Sequence, residues 1–135
     1  MIIIADNQPL THDALVSYFA NQPLCFAANK QQLAEKLEQS VDAVVVIDFS
    51  LFNFTTPEQM LIYLRRFAQA RWLMLSAEFA PNLVHLLGAE PQVSFLTKDC
   101  TRNDVLQAVY KLQQGERVVC AVVADMLHTV SATYT

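Results

Sequence analysis

Short apolar runs recur along this sequence, and polar or turn-forming residues bound each of them. The runs are Ile2–Ala5, residues 24–28, residues 43–47, residues 71–77 and Val93–Thr97. In the third run, three valines and Ile47 lead to a single carboxylate, Asp48, within the stretch AVVVIDFS. β-Branched runs of this length are typical of strands buried on both faces of a parallel sheet. The pattern therefore predicts five strands, with Asp48 at the carboxyl edge of the sheet, where open α/β folds bind their ligands.

Between these runs, apolar residues recur at helical spacing. Helices are predicted to begin near Pro9, Asn29, Pro57, Pro81 and Thr101. Two of these starts, Asn29 with Gln32 and Thr101 with Asp104, have the spacing of a capping box. Strand and helix alternate five times, and the crossovers are long enough to join parallel strands. The sequence therefore predicts an α/β fold with a doubly wound, five-stranded parallel sheet and helices on both faces.

The last of these helices is predicted to stop at Gly115. Residues 1–115 are predicted to form the domain, and residues 116–135 a C-terminal linker and helix segment. Within that segment, the apolar stretch 118–130 is predicted to be helical. No run is long enough to span a membrane, and the N-terminus lacks the pattern of a signal peptide. These features predict a cytoplasmic protein without a membrane partner.

Composition narrows the classes of function. The chain has 135 residues, of which 53% are hydrophobic, so one domain with a substantial core is expected. A net charge of −4 gives no electrostatic footprint for direct binding of nucleic acid. The two glycines, Gly88 and Gly115, do not follow strands, which argues against a phosphate-binding or dinucleotide-binding glycine loop. Three cysteines without metal-ligand spacing are expected to be reduced thiols.

Four predicted strands end in polar residues of defined kinds. These residues are Asp6 with Asn7, then Asp48, Ser76 and Lys98. In a parallel sheet all four ends lie at one edge, so the two carboxylates would need a neutralising cation. Mg²⁺ suits such a site because it binds one or two carboxylates and leaves room for phosphate oxygens. With Lys98 and Ser76 to hold the remaining oxygens, this arrangement favours transfer of a phosphoryl group onto Asp48 as nucleophile.

These strand ends carry a resemblance to a known family. The segments IIIADNQP, VVVID, LMLSA and FLTKD resemble, in order and at similar spacing, four motifs of the receiver domains of two-component response regulators. These CheY-like domains have a flavodoxin-like fold. The segment QAVYKLQQGERVVCAVVADML resembles the last receiver helix and linker of the NarL/LuxR branch, whose members continue into a DNA-binding domain.

The resemblance implies a role for each matched residue. Asp48 would be the phosphoacceptor, Lys98 and Ser76 would assist transfer, and Ser76 with Phe95 would form the switch. Mg²⁺ would be held by Asp6, Asn7, Asp48 and the backbone of Ser50. The implied partner is a sensor histidine kinase. The implied output is a transcriptional domain, or a homodimer through the face formed by the fourth helix, fifth strand and fifth helix, so the chain itself would not be an enzyme.

Two departures from the family pattern leave alternatives open. Asn7 stands where the family usually has a second acid, and the loop FSLFNFTT lacks the usual proline and glycine turn. Its phenylalanines, Phe49, Phe52 and Phe54, would form an interface or fold back over the sheet edge. The first alternative is a receiver that binds partners without phosphorylation. The second is a hydrolase using Asp48 as nucleophile, which Ser50 disfavours because such phosphatases carry a second acid at that position.

Overall fold

Five parallel strands form one sheet in the computed structural model, which describes residues 1–5, 9–48 and 56–134 and the side chains of residues 1–5, 13–48 and 56–128. The strands are β1 (Ile2–Ala5), β2 (Leu24–Phe26), β3 (Val44–Ile47), β4 (Arg71–Ser76) and β5 (Val93–Thr97). Their order is β2-β1-β3-β4-β5, and every neighbouring pair is parallel. The predicted doubly wound fold is confirmed, and the strand order reverses between β1 and β3.

Helices cover both faces of the sheet. They are α1 (Pro9–Tyr18), α2 (Lys30–Gln39), α3 (Pro57–Arg66), α4 (Pro81–Leu87), α5 (Arg102–Gln113) and α6 (Ala121–Tyr134). One core cluster unites α1 and α5 with one face of the sheet, and the other unites α2, α3, α4 and α6 with the opposite face. None of the helices in the described ranges is both long and apolar enough to cross a membrane.

Local capping interactions explain where α2 and α5 begin. The side chain of Thr101 accepts the backbone N–H of Asp104, whose carboxylate accepts the N–H of Thr101, so this predicted capping box is confirmed. At α2, Asn29 accepts the N–H of Gln32 as predicted, but Gln32 accepts the N–H of Ala28 instead of that of Asn29. Because the chain turns into α2 here, β2 ends at Phe26, earlier than its apolar run predicts.

The C-terminal segment differs from its prediction. The apolar pattern predicts a helix from Val118, but α6 begins at Ala121 and continues to Tyr134. Residues 117–120 instead run parallel to β5, with Val119 opposite Phe95. Gly115, which lies in the left-handed region at φ 84, allows the turn that brings this segment back to the sheet. The division of the chain at residue 115 stays a prediction.

Burial along α3 gives a direct test of its position. Leu64 faces the core and is fully buried, whereas Ile62 on the same helix is 67% exposed. Leu64→Ala should lower the free energy of unfolding by about 2–5 kcal/mol, because it leaves a cavity. The control Ile62→Ala should change it by less than about 0.5 kcal/mol. Urea unfolding of both variants measures the difference, and equal losses would contradict the packing of α3.

Candidate functional site

Asp48 is a buried carboxylate at the carboxyl edge of the sheet. It directly follows β3 and is only 2% exposed. The β1–β3 pair beside it is where the strand order reverses, and folds of this type bind ligands at such a point. Ala5 and Ile47 are partners at the ends of these two strands. Asp48 therefore lies where the sequence predicts it, in a position that loses most of its hydration.

Ser76 and Lys98 each contact one oxygen of Asp48. The Ser76 hydroxyl donates to Oδ1 at 2.8 Å, and the Lys98 ammonium lies 2.7 Å from Oδ2. The backbone N–H of Lys98 also donates to the carbonyl oxygen of Ser76 at 2.9 Å. The structure thus brings together three of the residues that the sequence singled out, and it links the ends of β4 and β5 directly.

The two contacts offset the cost of burying the charge of Asp48. An isolated buried carboxylate is expensive, and pairing with a cation and a hydroxyl donor recovers part of that cost. The Lys98 side chain is 19% exposed, so the ion pair reaches the protein surface. Lys98 therefore connects the buried carboxylate of Asp48 to the surface of the protein.

The remaining predicted site residues lie outside the described ranges. These are Asp6, Asn7 and Ser50, together with Phe49, Phe52 and Phe54 of the aromatic loop. Within the described ranges, no three His, Cys, Asp or Glu side chains group as a metal site.

The predicted donor set nevertheless suits Mg²⁺. All of its donors are oxygens: two carboxylates, an amide and a backbone carbonyl. An ionised carboxylate has about four lone-pair positions, so each Asp48 oxygen can accept a metal in addition to its present partner. The residues therefore fit the ion that the sequence predicts.

Phe95 lies on β5 and is fully buried in the core cluster that unites the sheet with α2, α3, α4 and α6. Its ring meets that of Phe79 edge-on, with centroids 5.4 Å apart. The guanidinium of Arg117 lies 6.0 Å from the Phe95 ring centroid. Neither Phe79 nor Arg117 was singled out from the sequence. The turn at Gly115 followed by the β-branched pair after Arg117 is the signal that could have indicated a return to the sheet.

A cavity of about 220 Å³ lies beside Lys98, between α1 and α5. Cys100 and Lys98 are among the residues that line it. Burial, and secondarily the charge of Asp104, raises the pKa of the Cys100 thiol above its ordinary value. This thiol is therefore protonated at neutral pH, and a protonated thiol is a poor nucleophile.

Solved structures similar to this one are receiver domains. A two-component response regulator of the LuxR family from Aurantimonas sp. SI85-9A1 matches with a TM-score of 0.76 and 16% identity, over 97% of this chain and 96% of that chain. The isolated REC domain of RcsB from Salmonella enterica serovar Typhimurium, in the presence of the phosphomimetic BeF3−, matches with a TM-score of 0.74 and 19% identity, over 93% and 96%. The non-phosphorylated receiver domain of the stress response regulator RcsB from Escherichia coli has a TM-score of 0.71 and 20% identity, over 88% and 96%.

No family model and no curated protein matches the sequence. The likeness to solved structures, at such low identity, concerns the fold. The chain has the fold of a response-regulator receiver domain, which confirms the resemblance inferred from the strand-end motifs.

The ion pair at Asp48 predicts a large and specific stability effect. Lys98→Met should lower the free energy of unfolding by about 3–5 kcal/mol, because it leaves a buried carboxylate without this cation. Adding Asp48→Asn to that variant should restore a large part of the loss, since the uncompensated charge is removed. Urea unfolding of the two single variants and the double variant measures the coupling. Strictly additive losses would contradict an energetic role for the pair.

Proposed function

We propose that this chain is a receiver domain that accepts a phosphoryl group on Asp48 from a sensor histidine kinase. One observation carries the proposal: the Ser76 hydroxyl contacts one oxygen of Asp48 and the Lys98 ammonium contacts the other. These contacts lie at the carboxyl edge of a parallel sheet. The receiver-domain fold of the similar structures supports it.

The residues supply the chemistry of phosphoryl transfer. The Asp48 carboxylate attacks phosphorus, so a new P–O bond forms while the bond from phosphorus to the imidazole nitrogen of the donor phosphohistidine breaks. The Lys98 ammonium and the Ser76 hydroxyl donate hydrogen bonds to the transferred oxygens, where negative charge concentrates. Because little covalent work falls to the protein, the positioning of these two donors is the main contribution.

Mg²⁺, held by Asp6, Asn7, Asp48 and the backbone of Ser50, would neutralise charge between the carboxylates and the phosphoryl oxygens. Asn7 contributes an oxygen without charge, which is expected to weaken the ion's binding relative to a second acid.

The response to phosphorylation would pass through Ser76 and Phe95. Ser76 contacts the acceptor directly, and Phe95 lies on the strand that ends beside Lys98. In this proposal the domain is cytoplasmic and of the NarL/LuxR type. Its output is a DNA-binding domain, or a homodimer through the face of α4, β5 and α5.

Phosphoryl uptake is the direct test. Incubation with Mg²⁺ and a small phosphodonor should add one phosphoryl group per chain, detected by intact mass. Asp48→Asn should abolish the addition, because the amide is not a nucleophile. Uptake that is equal in the Asp48→Asn variant would contradict Asp48 as the acceptor.

The position of Trp72 decides which signal should report phosphoryl uptake. Trp72 pairs with Val93 and Val45 near the amino end of the strands, whereas Asp48 lies at the carboxyl end. Its fluorescence is therefore a secondary signal and intact mass the primary one. Chelation of Mg²⁺ should stop the uptake, which separates metal-assisted transfer from nonspecific modification.

The charge deficit at Asn7 gives a separate prediction. Asn7→Asp should increase the affinity for Mg²⁺ and allow phosphoryl uptake at a lower Mg²⁺ concentration, because a second carboxylate joins the donor set. A Mg²⁺ titration of uptake compares the variant with the unchanged protein. An unchanged Mg²⁺ dependence would contradict the participation of residue 7 in the metal site.

Asn7 also supports a second candidate function, a receiver that binds its partner without phosphorylation. In that case, neither the phosphodonor nor Asp48→Asn should alter partner binding. That the chain is not an enzyme stays a prediction, and sustained turnover of generic phosphate esters would contradict it.

A further inference from the structure

We propose that residues 117–127 form a strap whose docking on β5 and α4 weakens when the Asp48 site is phosphorylated. The proposal rests on the function proposed above and identifies the element that it would control. The strap joins the extended residues 117–120 to the first half of α6.

The extended part of the strap pairs with the edge of β5 through backbone hydrogen bonds. The N–H of Phe95 donates to the carbonyl of Val118, and the N–H of Cys120 donates to the carbonyl of Phe95, both at 2.9 Å. The fully buried Ser94 hydroxyl accepts the N–H of Val118 at 2.9 Å. Phe95 thus makes two backbone hydrogen bonds with the strap while its ring is buried beneath it.

Arg117 anchors the start of the strap. Its guanidinium donates to the carbonyl of Val93 at 2.7 Å and to that of Gly88 at 2.5 Å, which ties the strap to β5 and to the end of α4. Desolvation lowers the pKa of the Arg117 guanidinium from its ordinary value, in keeping with its contact with the protein. Release of the strap would therefore break both hydrogen bonds of Arg117, the one to β5 and the one to the residue after α4.

The helical part of the strap packs on α4. Val123 is fully buried in the core cluster that contains Leu83, Val84 and Leu87. Gly88 allows the close approach, because a Cβ there would lie 2.5 Å from Cδ2 of Leu127. The strap therefore covers the edge of β5 and the side of α4 that carries Leu83, Val84 and Leu87, both within the face proposed for dimerisation. A second copy can use these two surfaces only after the strap has moved.

Phosphorylation disturbs the strand that holds the strap. Ser76 and Lys98 contact separate oxygens of Asp48, at 2.8 Å and 2.7 Å, and the phosphoryl group would bond to one of these oxygens. The two donors must then shift from the carboxylate towards the phosphoryl oxygens. The backbone bond between Lys98 and Ser76 makes the ends of β4 and β5 move together. Phe95, three residues before Lys98, carries the strap. Occupancy of the site and docking of the strap are thereby coupled, and the coupling acts in both directions.

Amide hydrogen exchange tests the first direction. In the unmodified protein, the amides of Phe95 and Cys120 should be protected by their bonds to the strap. With Mg²⁺ and beryllofluoride, which mimics the phosphoryl group, exchange at these two amides should become about fivefold faster or more. In Asp48→Asn the same addition should change nothing.

Strap variants test the reciprocal direction. Arg117→Ala and Val123→Ala loosen the strap and should increase the affinity for beryllofluoride about fivefold or more, measured by fluorine NMR titration. The matched controls are Val122→Ala, at the exposed neighbouring position, and Arg66→Ala, which removes an exposed arginine paired with Glu38. Neither control should alter the affinity.

The outcomes separate the two proposals. Failure of beryllofluoride to bind in the presence of Mg²⁺ would overturn the proposed function, and the coupling with it. Binding without faster exchange at Phe95 and Cys120, or unchanged affinity in both strap variants, would overturn the coupling and leave the receiver function standing.

Discussion

The site depends on keeping one carboxylate charged in a place with little water. Asp48 is nearly inaccessible, and its two oxygens are contacted by groups that follow or end two other strands. The three residues therefore meet only if β3, β4 and β5 keep their register, in which Ile47 is paired with Met74 and Ser76 with Thr97. A shift by one residue would turn each side chain to the opposite face of the sheet. The geometry of the site is thus a property of the whole sheet and not of a local motif.

Much of the fold follows from patterns that are local in the sequence. Buried parallel strands are continuous apolar runs, and capping residues such as Thr101 act within four residues, so both can be identified without tertiary information. The extended residues 117–120 could not be identified in this way. Their apolar residues are compatible with helix or strand, and the choice is made by the unpaired backbone groups of β5, which are more than twenty residues away in sequence.

The same distinction explains what could be predicted of the site. Asp48, Ser76 and Lys98 follow or end strands, so the topology alone brings them to one edge. Ser94, by contrast, is a polar residue inside a strand, and its hydroxyl has a role only because the N–H of Val118 meets it. Arg117 is similarly uninformative in the sequence, where a charged residue after a glycine turn usually indicates a solvated loop. Long-range bonds from side chains to backbone leave no periodic signal.

The two edges of the sheet are protected in different ways, and this difference has a functional meaning. The edge at β2 is limited by its length, since that strand has only three residues. The edge at β5 has five residues and is covered by residues 117–120. The segment that covers β5 can in principle move away and expose that edge, whereas the length of β2 is fixed by the fold. Because β5 is also the strand that leads to Lys98, the edge that can be opened is the one in contact with the charged site. In the proposed coupling, the hydrogen bonds that protect this edge against unwanted pairing would also transmit a change at Asp48.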